Sequence, residues 1–540
     1  MLRDPIEQGL ARGWRVIDAG TLDRAQTFEA DVCIVGTGAG GGVTAEILTN
    51  AGLKVVLLEE GPLKSSRDFH MKEAEAYPQL YQEAAARKTK DKAINILQGR
   101  CVGGSTTVNW TSCFRTPETT LAHWRDKLGL TGFTADAMRP WFENMEARLS
   151  VAPWDVPPNR NNELLAIGAG SLGISSAAIR RNVKGCWNIG YCGMGCPTNA
   201  KQSMLVTTIP AALDQGATLL VNAQAVRLEG AQAAQHRGPT SLVVAPRAGS
   251  RAVLPGVTHR IQARRFVVSA GAIGSPALLL RSRAPDPHSN LGRRTFLHPT
   301  VISAALMQDP VMAHAGAPQT VYSDHYLDSL AVDGPMGFKL EAPPLHPVIF
   351  ATTMSGYGAQ HAALMREFNN THVLLSLLRD GFAAESPGGR VLLRDDGSPV
   401  LDYPLNDFTF DGVRRAYLAM AEIQFAAGAK QVLPIHEQAV MYTTWRQARQ
   451  AIVELPLKPL STRVVSAHVM GGCAMSEDPR QGVVDSNGKH HQWPEVLVLD
   501  GSLFPTSVGA NPQLSIYAVV ARMASSLALE LTGKPAPARI

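Results

Sequence analysis

Short apolar runs alternate with glycine turns near the start of the chain. Residues 32 to 35 form a continuous apolar run, glycines follow at positions 36, 38 and 41, and the next stretch continues to Gly52 with a helical pattern. A second apolar run covers residues 55 to 58. Short apolar runs bounded by glycines are typical of buried strands, and the stretch between them predicts a helix. The pattern therefore predicts one βαβ unit.

The glycines of this unit have the spacing of a dinucleotide cradle. Gly36 permits a tight turn, Gly38 lets the backbone approach a pyrophosphate, and Gly41 lets the helix pack on the strand with its N-terminus facing the phosphates. Glu59 follows the second strand, 23 residues after Gly36, near the offset of roughly 20 expected for a carboxylate on the ribose diol. Glu60 is the alternative, because adjacent strand side chains face opposite ways. The motif fits both FAD and NAD.

A second glycine-rich segment, residues 99–110, reads GRCVGGSTTVNW. Together with the cradle it resembles the first signature of the glucose-methanol-choline (GMC) family of FAD-dependent oxidoreductases, in which this loop lies against the flavin and the pyrophosphate. Residues 269–283 resemble the second signature, although Arg283 stands where a glycine usually follows the serine, and residues 466–524 resemble the closing segment. The matching positions of the first signature are Gly99, Arg100, Val102, Gly103, Gly104, Ser105 and Asn109.

The resemblance spans nearly the whole chain and implies its fold. We expect the GMC fold, an α/β architecture with a Rossmann-like FAD-binding domain and a second α+β substrate domain built on an antiparallel sheet. The FAD-binding domain is expected to be discontinuous, with residues 25–125, 205–300 and 463–540. The substrate domain is expected to hold residues 126–204 and 301–462, including a cysteine-rich loop at 185–203.

Alcohol oxidation needs a base for the hydroxyl proton, and a neutral imidazole suits that task at physiological pH. His468 and Asn511, 43 residues apart, match the catalytic pair of the family. The resemblance implies that His468 is the base and that Asn511 holds the substrate oxygen in front of the flavin. Without the family resemblance, the sequence would indicate only that His468 precedes a turn and that Asn511, before Pro512, begins a helix. A helix N-terminus there also favours developing negative charge.

Two later strands complete the expected cofactor site. Residues 496 to 499 read as a buried strand that turns at Asp500 and Gly501. The resemblance implies that this strand end touches the ribityl chain and the pyrimidine side of the flavin. It also implies that the backbone of Val226 contacts the adenine.

Cys186, Cys192 and Cys196 fall within eleven positions of one glycine-rich loop. A zinc site would want four ligands, usually with a closely spaced CxxC pair, and neither condition is met locally. The spacing resembles the loop of sugar-dehydrogenase members of the family, in which three cysteines hold a 3Fe-4S iron–sulfur cluster that carries electrons outward. It is also similar to the long-chain alcohol oxidase and cholesterol oxidase-like branches, in which the thiols shape the loop. All three interpretations stay open at this point.

Composition narrows the partners and the compartment. The 51 basic and 46 acidic side chains give a net charge of +5 that is spread along the chain, which argues against nucleic acid as a partner. No window supplies the roughly 18 apolar residues that a transmembrane helix requires. An odd, sparse set of cysteines agrees with a reducing compartment, so we expect a cytoplasmic protein and leave open a peripheral contact with the inner membrane.

These observations predict oxidation of a small-molecule alcohol to an aldehyde or ketone. The resemblance implies that His468 takes the proton, that the flavin N5 takes the hydride, and that electrons pass to a quinone or a cytochrome-type acceptor protein. The alternatives are an oxidase that uses dioxygen, a hydroxynitrile-type lyase that keeps FAD only as structure, and a flavin-bearing electron-transfer subunit. Residues 301–462 contain no pattern that identifies the alcohol.

Overall fold

The structure, a computed structural model, describes residues 4–230, 238–248, 252–253 and 256–535. Its α-helices are α1 Pro5–Ala11, α2 Ala39–Asn50, α3 Glu73–Leu80, α4 Ser105–Val108, α5 Glu118–Leu128, α6 Ala135–Arg148, α7 Arg160–Ser171, α8 Thr208–Asp214, α9 Gly271–Arg281, α10 His325–Asp328, α11 Pro347–Thr353, α12 Gly358–Arg366, α13 Asp407–Ala426, α14 Trp445–Glu454 and α15 Gln513–Thr532. Its strands are β1 Arg15–Asp18, β2 Thr27–Val35, β3 Val55–Leu58, β4 Ile94–Ile96, β5 Ser112–Cys113, β6 Val151–Pro153, β7 Ala177–Ala178, β8 Arg180–Asn182, β9 Thr218–Val221, β10 Ala223–Gly230, β11 Pro239–Ala248, β12 Ala252–Val253, β13 His259–Val268, β14 Arg293–Leu297, β15 Thr300–Leu306, β16 Val321–Ser323, β17 Phe338–Glu341, β18 Thr371–Leu378, β19 Gly389–Leu393, β20 Pro399–Asp402, β21 Gln431–Pro434, β22 Val464–Ser466, β23 Val469–Gly471 and β24 Val496–Val498.

The predicted βαβ unit lies at the centre of the largest sheet. Strands β1, β9, β3, β2 and β13 are neighbours in that order and pair in parallel, and β24 pairs with β13 in parallel. The four residues of β3 are all buried, as are the last four of β2. A strand covered on both faces reads as a continuous apolar run, which is why the sequence revealed these two strands.

A second sheet, built on β4, β22, β15, β18, β17, β16 and β7, forms the other half of the molecule. Its neighbours are antiparallel except for β22 and β4. Helix α13 packs on β15 and β18, and its buried side chains join a second apolar core. This arrangement confirms the predicted α/β fold with an antiparallel second sheet.

The predicted ranges of the two domains stay a prediction, and the pairing of some strands departs from them. Strand β1 pairs within the first sheet although it precedes residue 25, where the FAD-binding range was expected to begin. Strand β4 pairs within the second sheet although it falls in the range 25–125. Both contacts join segments far apart in sequence, which local patterns do not encode.

Helix α15 is the one described helix that is long and apolar enough to span a bilayer. However, 61% of its most apolar 18-residue window is buried inside the protein, where α15 packs against α2 and α6. Its apolar character is therefore that of a core helix.

Candidate active site

A cavity of about 930 Å³ lies between the two sheets. The residues that directly follow four parallel strands line one side, and side chains of β15, β18 and β22 line the other. Ligands of open α/β sheets bind outside the carboxyl ends of the parallel strands. This cavity is therefore where the fold predicts a bound nucleotide. Strands β2, β3 and β13 are directly followed by Gly36, Glu59 and Ser269, respectively, and Asp500 is the second residue after β24.

The glycine cradle forms the floor of the cavity, and its geometry fits a dinucleotide. Gly36 has a φ of +97°, and a Cβ there would lie 2.3 Å from the carbonyl oxygen of Ser269. A Cβ on Gly41 would lie 1.9 Å from the Gly36 carbonyl oxygen, so only glycine lets α2 begin this close to the turn. Gly38 and Gly104 come together at the cavity, where a Cβ on Gly104 would lie 2.8 Å from the Gly38 Cα.

Glu59 is buried at the end of β3, where both of its carboxylate oxygens accept hydrogen bonds from the cradle. One oxygen accepts from the Thr37 hydroxyl at 2.6 Å and the other from the Gly61 amide at 3.0 Å. The amide of Gly103 donates to the same Thr37 hydroxyl oxygen at 3.0 Å. Burial raises the pKa of Glu59 to about 7. Glu59 thus joins the two glycine loops, and its predicted bond to a ribose stays a prediction, as does the alternative Glu60, which also lines the cavity.

Arg100, Ser105 and Asn109 of the second loop all line the cavity. The Arg100 guanidinium is buried, and its Nε has no hydrogen-bond partner. Because a buried donor without a partner is costly, this atom fits a site for an anionic group such as a pyrophosphate. The Ser105 hydroxyl oxygen accepts from the Gly99 amide at 2.9 Å, and Asn109 Nδ2 donates to Gln513 Oε1 at 2.7 Å. The loop is therefore fixed on both sides.

Asp500 and Gly501 also lie at the cavity wall, and their expected contact with the flavin stays a prediction. One carboxylate oxygen of Asp500 accepts from the Gly271 amide at 2.8 Å and from the Ser275 hydroxyl at 2.5 Å. The other accepts from the amide and the hydroxyl of Ser502 at 2.8 and 2.5 Å. Burial raises the pKa of Asp500. The carboxylate thus fixes the start of α9 beside the cavity.

The expected contact of Val226 with adenine stays a prediction. The register of β10 against β11 shifts between Ala225 and Arg227, so Val226 lies in a β-bulge. The Val226 carbonyl accepts from Arg281 Nε at 2.8 Å. The cavity wall contains Ala225 and not Val226.

The expected catalytic pair, His468 and Asn511, meets at the cavity. His468 lies half-buried between β22 and β23, and its Nδ1 is 3.0 Å from Nδ1 of His298. Burial, together with the nearby Lys339 ammonium, lowers the pKa of His468 to about 4. Asn511 is buried just before α15; its Nδ2 donates to Glu341 Oε2 at 3.3 Å, and its Oδ1 has no partner. The pair therefore presents a neutral imidazole and a carboxamide.

Three buried polar residues behind this pair were missed by the sequence analysis. They are His298, Lys339 and Glu341. The Lys339 Nζ lies 3.6 and 4.1 Å from the ring centroids of Phe114 and Tyr322 and forms an ion pair with Asp324. Burial raises the pKa of Glu341 to about 7. Lys339 and Glu341 could have been recognised in the sequence as two charged residues within an apolar stretch, GFKLEAPPL at 337–345.

Two of the three interpretations left open for the cysteine loop involve a metal. Among the described residues, which include the whole loop, no group of three or more His, Cys, Asp or Glu side chains is placed to hold a metal ion. Each thiol has its own partner. The Cys186 sulfur accepts from the Asn188 amide at 3.4 Å, and the Cys192 sulfur accepts from Arg181 Nη2 at 3.8 Å. The Cys196 sulfur lies 3.4 Å from the Thr198 hydroxyl. The structure therefore does not support the zinc and iron–sulfur interpretations of this loop.

Lys201 joins this loop to the cavity wall. Its ammonium group is buried and donates to the carbonyl oxygens of Thr107, Asn109 and Cys192 at 2.8, 2.7 and 2.7 Å. Burial lowers the pKa of Lys201 to about 8. The cysteine loop is thus fixed against the segment that carries Asn109.

A Rossmann-like sheet, a glycine cradle and a half-buried neutral histidine at one cavity define a nucleotide-dependent oxidoreductase. Two family models, both of the GMC oxidoreductases, match residues 77–300 and 385–519. The chain belongs to the GMC oxidoreductase family, as the sequence predicted, and it is an FAD-dependent alcohol oxidoreductase.

Individual relatives agree with this assignment. A long-chain-alcohol oxidase of Arabidopsis thaliana is 27% identical over 96% of this chain and 72% of its own length. An uncharacterized GMC-type oxidoreductase of Mycobacterium tuberculosis is 31% identical over 95% of this chain and 78% of its own. Among solved structures, formate oxidase of Aspergillus oryzae RIB40 matches with a TM-score of 0.70 at 16% identity, over 93% of this chain and 99% of that one. The last comparison concerns the fold alone.

Proposed function

We propose that the protein oxidises a hydrophobic small-molecule alcohol to an aldehyde or ketone, with His468 as the base. The observation that carries the proposal is that the imidazole of His468 and the carboxamide of Asn511 both line the cavity beside the glycine cradle. Because the pKa of His468 is lowered to about 4, the ring is unprotonated at physiological pH and has a lone pair for the hydroxyl proton. Bound in this cavity, FAD would supply a hydride acceptor at its N5.

The other residues of the site have roles in holding the reactants. The backbone of Gly36, Gly38 and Gly104 and the guanidinium of Arg100 would hold the pyrophosphate. Asn511 Nδ2 has two hydrogens, of which one points to Glu341, so the second can donate to the substrate oxygen. This donor would favour the negative charge that develops when the proton leaves.

The apolar part of the cavity supports a hydrophobic alcohol. Its wall includes the side chains of Leu375, Leu377 and Val465, opposite the glycine loops. The likeness to a plant long-chain-alcohol oxidase supports the same class of substrate. The proposed acceptor is a quinone or a cytochrome-type protein, and that relative's name supports dioxygen as the second candidate.

Rapid mixing of the FAD-loaded protein with long-chain alcohols, without air, tests the proposal. We expect flavin bleaching, and a decrease in its rate of at least about 100-fold in His468→Ala, since a positioned base contributes roughly 10²- to 10⁴-fold. His361→Ala is the matched control, because His361 is also half-buried but does not line the cavity. Bleaching at the wild-type rate in His468→Ala would refute the assignment of the base. No bleaching by any alcohol would favour the lyase, and mixing the reduced protein with air or with a quinone identifies the acceptor.

A further inference from the structure

His298 and His468 face each other through the same ring atom. Their Nδ1 atoms are 3.0 Å apart and the two ring planes are nearly perpendicular, at 89°. The two residues come from different parts of the second half of the molecule: His298 joins β14 to β15, and His468 joins β22 to β23. His298 is fully buried, and its Nε2 has no other partner.

We propose that His298 is a positioning residue that selects the tautomer of His468. In this arrangement Nδ1 of His468 carries the hydrogen and donates it to Nδ1 of His298, and Nε2 of His468 keeps its lone pair. The hydrogen of His298 then lies on its Nε2, a buried donor without a partner in the structure, so the hydrogen bond between the rings has to offset the cost of that donor. The inference rests on the proposed function of His468 as the base.

The argument begins with the number of hydrogens between the rings. Two nitrogen atoms at 3.0 Å share one hydrogen when both rings are neutral, since each neutral imidazole has one donor and one acceptor. Burial and nearby positive charge lower the pKa of both rings. The charged groups that face them lie on β17, where Lys339 favours the neutral rings and Glu341 contacts Asn511. Two neutral arrangements therefore remain.

Only one of these arrangements can abstract a proton. If Nδ1 of His298 is the donor, His468 accepts at Nδ1 and carries its own hydrogen on Nε2. This Nε2 is the nitrogen of His468 that does not contact His298. That nitrogen could then only donate. If His468 donates, Nε2 is an acceptor, and the alcohol O–H bond can break with transfer of its proton to Nε2 while Nδ1–H stays on His298. An acceptor on Nδ1 fixes the tautomer of a general base in the same way in other enzymes.

Two variants separate this role from simple packing. In His298→Asn the amide oxygen takes the place of Nδ1 and can accept the same hydrogen bond, whereas His298→Leu has no acceptor. With FAD-loaded protein and alcohol, we expect a rate of flavin reduction within about threefold of wild type for the Asn variant. For the Leu variant we expect a loss of about 10- to 100-fold, as for other partners that orient a functional histidine.

Nitrogen NMR of ¹⁵N-histidine-labelled, FAD-loaded protein reads the tautomer without turnover. We expect the His468 signals, assigned with His468→Gln, to show a protonated Nδ1 and a bare Nε2 in wild type and in His298→Asn. A protonated Nε2 in wild type would overturn the inference, and so would a wild-type rate in a folded His298→Leu. If His468→Ala keeps its activity, the proposed base is wrong, whereas the NMR result still decides the tautomer.

Discussion

Replacement of Lys201 by methionine tests how the cysteine loop is held. The ammonium group is 2% exposed and donates to three carbonyl oxygens, at 2.8, 2.7 and 2.7 Å. Methionine has a similar length but no donor, so these buried carbonyls lose their partner at a cost of about 1 kcal/mol or more each. Removal of a buried charge offsets part of this loss. We expect the free energy of unfolding to fall by about 3 kcal/mol.

Guanidinium denaturation of the FAD-loaded protein, followed by tryptophan fluorescence, measures this loss. Lys184→Met is the control, because Lys184 is exposed and lies at the edge of the same loop; we expect a change within about 0.5 kcal/mol. Two of the three carbonyls belong to Thr107 and Asn109, so Lys201→Met should also retain less flavin after gel filtration. A loss below about 1 kcal/mol with unchanged flavin content would refute this account of the loop.

Four further results follow from the same geometry. Replacement of all three loop cysteines by serine should leave the flavin content and its rate of reduction near wild type; stoichiometric iron in the wild-type protein would contradict this. Lys339→Met removes a cation that lowers the pKa of His468, so the loss of flavin reduction on acidification, which follows protonation of the base, should occur at a pH about 1 unit higher. An unmoved pH profile would exclude this role. Gly104→Ala should weaken FAD binding at least about tenfold in a flavin titration, because φ is +53° there and the added Cβ would clash with the cradle. The control is Gly129→Ala, which should bind FAD normally because φ is also positive there but no atom lies within 4 Å of the added Cβ. Glu341→Gln keeps an acceptor oxygen and should retain the rate of flavin reduction within about threefold, whereas Glu341→Leu should lose about tenfold. Equal rates in the two variants would show that the contact of Glu341 with Asn511 does not position the amide.

The parts of the site that the sequence predicted are those encoded by short-range spacing. Gly36, Gly38 and Gly41 lie within six positions, and each has a steric reason that holds within one βαβ unit. The family resemblance then placed His468 and Asn511, and both line the cavity. Their predicted roles require the kinetic tests given above.

The parts that the sequence did not predict depend on contacts between distant segments. His298 and His468 are 170 positions apart, and so are Glu341 and Asn511. No local pattern brings these residues together, since the contacts depend on how the strands of the second sheet are ordered. The same holds for the cysteine loop. Spacing brings three thiols into one loop, but whether they converge depends on each side chain's own partner.

Strand β17 connects the two halves of the proposed catalytic pair. Lys339 and Glu341 are two positions apart, so their side chains lie on the same face of the strand. The first adds to the effect of burial in lowering the pKa of His468, and the second accepts a hydrogen bond from the amide of Asn511. Opposite charges on one buried face also offset each other, whereas either alone would be costly. The glycine loops therefore determine where a cofactor fits, while one strand of the second sheet contributes to the protonation state of the proposed base and to the orientation of the amide beside it.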